Sequence, residues 1–156
     1  MNEARAYYYE NEVEWHSERR GTLSGMGLPS FVVGAPPEFK GHGGTWTPEH
    51  LLVASVNACY MLTLLAIAEN SKLGFVSFSS VAKGKLEAAG NSGYQMSEIV
   101  ITPTVVLASA DDLGRIGRIL EKAKQNCFIS NSIKSAVRIV PQVFHQQTQI
   151  FPCPSV

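Results

Sequence analysis

Cys59 and Cys127 are the residues of this chain whose type and setting best suit chemistry. Cys59 lies inside a long apolar run, and Cys127 closes a segment with helical periodicity. Taken singly, each reads as core packing, because free cysteine is among the most buried residue types. As a pair on facing helices in a reducing compartment they can do more. One thiolate attacks an oxidant, the other resolves the sulfenic acid, and the two cycle between dithiol and disulfide. Cys153, in Phe151-Pro152-Cys153-Pro154, is assigned no catalytic role.

A thiolate on an apolar helix has its pKa raised by desolvation, so a nucleophilic Cys59 calls for a cation. Arg19 and Arg20, at a turn before Gly21, are the candidates, with Glu49 as their counter-charge. Read blandly, the arginines are a solvated turn and Glu49 a carboxylate at a helix start. Glu49 and Cys59 fall on one predicted helix, ~15 Å apart in rise and rotated by roughly 80°, so they cannot meet within it. The economical hypothesis is therefore a shared site, with Glu49 and an arginine serving the Cys59 of a second subunit across a twofold interface.

Other chemistries fit less well. His16, His42, His50 and His145 form no zinc-type spacing with the cysteines, so no metal and no bound cofactor are expected. Gly41-His42-Gly43-Gly44 lacks the Lys-Ser/Thr of a phosphate loop and reads as a hinge or lid. The 13 Lys+Arg balance the 13 Asp+Glu, which leaves no basic excess for nucleic acid or an anionic membrane. With 45% hydrophobic residues and 17% charged ones, 156 residues suffice for one globular domain with its own core. Three scattered cysteines and an N-terminus without an apolar signal core point to the cytoplasm.

The elements that must position these groups follow from the pattern. Residues 7–15 alternate as a half-buried strand, Ser17–Gly21 turns, Thr22–Ser24 returns, and Phe31–Val33 offers a third strand. Thr47-Pro48-Glu49 gives a side-chain cap, a proline at the first helical position and an acid at the positive dipole end, so a helix starts here and runs to about Asn70. Leu51 to Ala68 carries no charge for 18 residues, close to a membrane-spanning minimum. Ser55, Asn57, Cys59 and Thr63 interrupt it and no basic flank accompanies it, so a central helix buried on all faces is expected instead. Phe75–Ala88 and Glu98–Leu107 read as an antiparallel hairpin, with Pro103 marking an edge or bulge. Ser109 caps a second helix whose stripe is Leu113, Ile116, Leu120, Ala123 and Cys127. A helical turn at Ser130–Ala136 precedes a closing strand over 137–144, and residues 145–156 are expected as an irregular tail. The sum is α+β, with largely antiparallel sheets around a long central buried helix, and no linker or repeat.

Two segments carry a resemblance. Thr47-Pro48-Glu49-His50-Leu51-Leu52 running on to Ala54 and Ala58-Cys59 resembles the Pro-Glu-x-Leu…Ala-Cys helix of the OsmC/Ohr family, and Cys127-Phe128-Ile129-Ser130 resembles its Cys-Pro-x-Ser motif. Both occur in the family's order and spacing, within residues 7 to 144. The resemblance implies an intertwined homodimer with two interfacial sites that reduces organic or fatty hydroperoxides by thiol chemistry. By position Cys59 would be the peroxidatic nucleophile, Cys127 the resolving thiol and Glu49 the carboxylate that orients an arginine. Aligning Gly21-Thr22-Leu23-Ser24 puts Glu18 at the arginine's place, so Arg19 is taken first and Arg20 second; Phe128 stands where the family has proline. An external dithiol, of lipoyl type in the family, would reopen the disulfide. An apolar pocket including Phe31, Tyr60 and Met61 is expected to hold the alkyl group. The alternative is a catalytically weak OsmC-like protein that binds a small apolar ligand at the dimer interface.

Overall fold

The computed structural model describes residues 5–145 and 148–152. They form an α+β fold of two compact units, 1–51 and 52–156, which divide within the first turn of the long helix and not at a linker. In the first unit, β1 (Glu12–Ser17), β2 (Arg20–Gly25) and β3 (Leu28–Gly34) pair antiparallel in that order. Glu18 turns the first hairpin at φ +51°. The segment after β3 is closely held: a Cβ on Gly41 would lie 1.6 Å from the Ala35 carbonyl oxygen, and His42 Nε2 meets Glu18 Oε2 of the first hairpin at 2.6 Å.

Helix α1 (Pro48–Asn70) starts where its cap predicts. Thr47 Oγ1 accepts from the His50 N–H at 3.3 Å, which satisfies one of the orphan donors of the first turn. It ends in a Schellman turn, with Leu73 N–H on the Ala68 carbonyl at 2.9 Å and Lys72 N–H on that of Glu69 at 3.0 Å. Lys72 takes the left-handed position there, at φ +52°. In the second unit β4 (Phe75–Ala88) and β5 (Tyr94–Leu107) form the long hairpin, followed by α2 (Leu113–Asn126), β6 (Ala136–Ile139), β7 (Gln142–His145) and β8 (Thr148–Pro152). The core joins Val56, Tyr60, Leu64 and Ala68, at i+4 spacing on α1, to alternate residues of β5 and to Ile116, Leu120 and Ala123 of α2.

Several expectations are corrected. Residues 7–11 are not strand, and β1 is exposed along its whole length rather than half-buried. Helix α1 buries one stripe only; Leu62 stays 60% exposed, so its remaining apolar faces are uncovered in the single chain. By length and composition α1 is apolar enough to cross a membrane, yet its buried stripe is part of a packed core. The closing strand is two strands, both parallel to β5, because Pro141 interrupts the ladder between them. Pro103 lies mid-sheet instead of at an edge. Its missing N–H is tolerated because pairing with β4 is continuous there while the β6/β7 side is already broken. The tail is not irregular throughout, since β8 pairs antiparallel with β7. The helical turn shrinks to Ser130–Ser132. Cys153 lies outside the described residues.

Candidate active site

Helix α1 places Cys59 three turns in, half-buried, and the end of α2 places Cys127 opposite it, fully buried. Both are free thiols within hydrogen-bonding range of each other. Burial pushes the Cys59 thiol up, but the Ile129 N–H, the Cys127 thiol, the Thr63 hydroxyl and the Phe128 N–H together bring it below its ordinary value. All four donors are uncharged. Thr63 sits one turn beyond Cys59, and its hydroxyl donates to the Cys59 carbonyl at 2.8 Å.

Cys127 behaves in the opposite sense. Burial raises its pKa, the Ser130 hydroxyl and N–H only partly offset this, and the neighbouring Cys59 raises it further. The Ser130 hydroxyl donates to Cys127 Sγ at 3.0 Å. The turn that aims these donors is held by Asn131 N–H on the Cys127 carbonyl at 3.1 Å and by Ser132 Oγ on the Phe128 carbonyl at 2.7 Å. Two adjacent thiols whose environments push their pKa values apart are unequal, with Cys59 the more acidic of the two.

The other predicted residues gather in the first unit. Arg19, Arg20 and Glu49 line one cavity of about 480 Å³, whose walls include Val13, Trp15, Val33, Pro36 and Phe39. Arg19 Nη1 donates to the Phe39 carbonyl at 2.7 Å, and the Arg19 carbonyl accepts from Ala35 N–H at 3.1 Å, so this side chain is anchored at both ends. Glu49 Oε2 is buried without a hydrogen-bond partner among the described residues, a costly state for a carboxylate oxygen. Among the described residues no three His, Cys, Asp or Glu side chains cluster as metal ligands would.

This arrangement can be set beside known proteins. The model of the family described as OsmC-like protein matches residues 41–141, a span that contains α1, Cys59, Cys127 and the β4–β5 hairpin between them. The chain belongs to the OsmC-like family. Among its relatives, this OsmC-like chain is 27% identical over 139 residues to the uncharacterised protein YmaD of Bacillus subtilis, covering 85% of this chain and 91% of YmaD. Among solved structures it is similar to an OsmC-like protein of unknown function from Vibrio cholerae, with a TM-score of 0.79 and 22% identity over 89% of this chain and all of that one. It is also similar to an organic hydroperoxide resistance protein from Elizabethkingia anophelis, with a TM-score of 0.70 and 21% identity over 91% of this chain and 100% of that one. These likenesses show an OsmC-like fold.

Within that fold the thiol pair was legible from sequence, whereas its hydrogen-bond donors were not. Thr63 carries a usable signal, since it follows Cys59 by four residues and so shares its helix face. Ser130 follows Cys127 by three, but which way its hydroxyl points depends on the turn. The backbone donors of Phe128 and Ile129 leave no side-chain signature at all. One expectation fails on burial. Tyr60 is wholly enclosed in the core, where its hydroxyl donates to the Leu120 carbonyl at 3.4 Å.

Proposed function

We propose that this chain is a thiol-dependent peroxidase that reduces organic hydroperoxides, fatty ones included, in defence against oxidative stress. One observation carries the reading: a half-buried Cys59 thiol, held below its ordinary pKa, in hydrogen-bonding contact with a fully buried partner thiol. The Cys59 thiolate attacks the distal oxygen of ROOH, the O–O bond breaks with its electron pair going to the alkoxide, and the alkoxide takes a proton from solvent, which gives ROH and a Cys59 sulfenic acid. Cys127 Sγ then attacks the sulfenic sulfur, forming the Cys59–Cys127 disulfide and releasing water. An external dithiol, of lipoyl type on the family resemblance, restores both thiols by exchange. Such a reductant fits a reducing compartment, the cytoplasm.

The cavity of the first unit supports the rest of the cycle. Its apolar walls suit an alkyl chain, and the anchored Arg19 is a preorganised cation for a leaving alkoxide, with Arg20 second and Glu49 as counter-charge. We place this cavity against the Cys59 of a second copy in a homodimer. Exposed Trp15, Leu28 and Val32 on the first unit and exposed Leu62 on α1 are apolar surfaces that a partner copy would cover.

The test is turnover of cumene hydroperoxide with a dithiol as reductant. Native protein should turn over, and Cys59→Ser should lose at least about 10³-fold. A second reading rests on the same cavity: binding of a small apolar ligand without turnover, seen as thermal stabilisation by lipophilic compounds in a protein whose thiols resist peroxide.

A further inference from the structure

The Cys59–Cys127 disulfide of the proposed cycle has two ends, and the structure treats them differently. Cys127 Sγ is fully buried, whereas Cys59 is half-buried and so the sulfur that an incoming thiolate can reach. Thiol–disulfide exchange needs the attacking sulfur in line with the bond it breaks, and access decides which end it meets. Leaving-group strength alone would favour expelling Cys59, the sulfur with more donors. Burial overrides that preference, and Cys127 must then leave as a thiolate in an apolar enclosure, where an unassisted anion is costly. The group placed to assist is the Ser130 hydroxyl, which donates to Cys127 Sγ at 3.0 Å from a turn braced by its neighbours.

We propose that Ser130 is a catalytic residue of the reductive half-reaction: its hydroxyl stabilises Cys127 Sγ as the leaving thiolate when an external dithiol attacks Cys59. One thiolate of the dithiol bonds to Cys59 Sγ, the protein S–S bond breaks, and its electron pair passes to Cys127 Sγ, which then takes a proton from solvent. The second thiolate of the dithiol attacks the dithiol sulfur bonded to Cys59, breaks that mixed disulfide and releases Cys59 as thiolate. The dithiol loses two electrons and closes to a cyclic disulfide, while the protein disulfide gains two. This assignment deepens the peroxidase reading, but it needs only that the disulfide exist, whatever oxidant made it.

The experiment therefore forms the disulfide with diamide and follows its reduction by dithiothreitol in native protein, Ser130→Ala and Ser130→Thr. Peroxide oxidation is measured separately in single turnover. Loss of one charge-assisted hydrogen bond should slow reduction of Ser130→Ala by about tenfold, more than it slows the peroxide step, with Ser130→Thr restored to within about twofold. In native protein, limited treatment with 2-mercaptoethanol followed by alkylation and peptide mapping should find the mixed disulfide on Cys59 and the alkyl group on Cys127. Equal slowing of both steps by Ser130→Ala marks a structural role and overturns the proposal, as does a mixed disulfide on Cys127. If peroxide leaves native thiols intact while the diamide disulfide shows the Ser130 dependence, the peroxidase reading fails and this assignment stands.

Discussion

Every buried hydrophobic residue among those described lies in the second unit, from Val56 to Val143, and the first unit contributes none. The second unit closes a core around its sheet and two helices, and sets its thiol pair at the edge of that core. The first unit instead shows solvent Trp15 at 73% and Leu28 at 68% exposure, and brings Arg19, Arg20 and Glu49 to one cavity. A three-stranded sheet with no buried apolar face lacks the packing that such sheets need. The contrast divides the labour. The groups that tune the thiols all lie in the second unit, while in the proposed cycle cation, counter-charge and apolar walls come from the first unit of a partner copy.

The strongest way to break this division is Arg19→Ala. It should slow thiol oxidation by cumene hydroperoxide about 10²-fold, the worth of one preorganised charge, and leave the Cys59 titration in place because the donors to that sulfur are neutral. If that titration rises in step with the rate loss, tuning is not local. Next in size is Arg115→Ala. Arg115 donates to Asp112 Oδ1 at 2.7 Å and to the Ser71 and Lys72 carbonyls at 2.6 and 2.8 Å, clamping the end of α1 to the start of α2. Its loss leaves a nearly buried Asp112 carboxylate unpaired, and chemical denaturation should show about 2 kcal/mol less stability. A change under about 0.5 kcal/mol would mean that the carboxylate finds water instead.

Trp15→Glu probes the first unit. Placing a charge on its exposed apolar face should weaken self-association about tenfold or more by analytical ultracentrifugation, while the far-ultraviolet spectrum of the helices persists. A native protein that stays monomeric at all concentrations removes the partner surface from the account. The smallest effect is in pH. Because Cys59 is held below its ordinary 9.0, its thiolate fraction and its rate with peroxide should rise with pH and reach half-maximum below that value. Cys127→Ala removes one donor, so the midpoint should move upward, by less than about one unit. A downward move would mean that Cys127 acts on Cys59 chiefly as a negative charge.

How far the sequence could be read varied with the range of the interactions involved. The cap at Thr47, the end of α1, the long hairpin and the stripe of α2 depend on residues within a few positions of one another, and each was legible. Parallel pairing of β6 and β7 on β5 was not, because alternation marks a strand without fixing its direction. Nor could alternation over residues 7–15 tell a face buried in its own chain from one left open. At the site, Cys59 and Cys127 stood out by type and spacing. Their inequality did not, since it arises from Ser130, Thr63 and two backbone N–H groups brought in by the turn after α2.

The central claim, that these two thiols are a peroxide-driven redox pair, is tested most directly by intact-mass analysis and disulfide mapping of the reduced protein after one equivalent of cumene hydroperoxide. The expected result is loss of two hydrogens, a Cys59–Cys127 cross-link, and, in Cys127→Ser, a sulfenic acid trapped on Cys59. An unchanged mass with all thiols still free would contradict it.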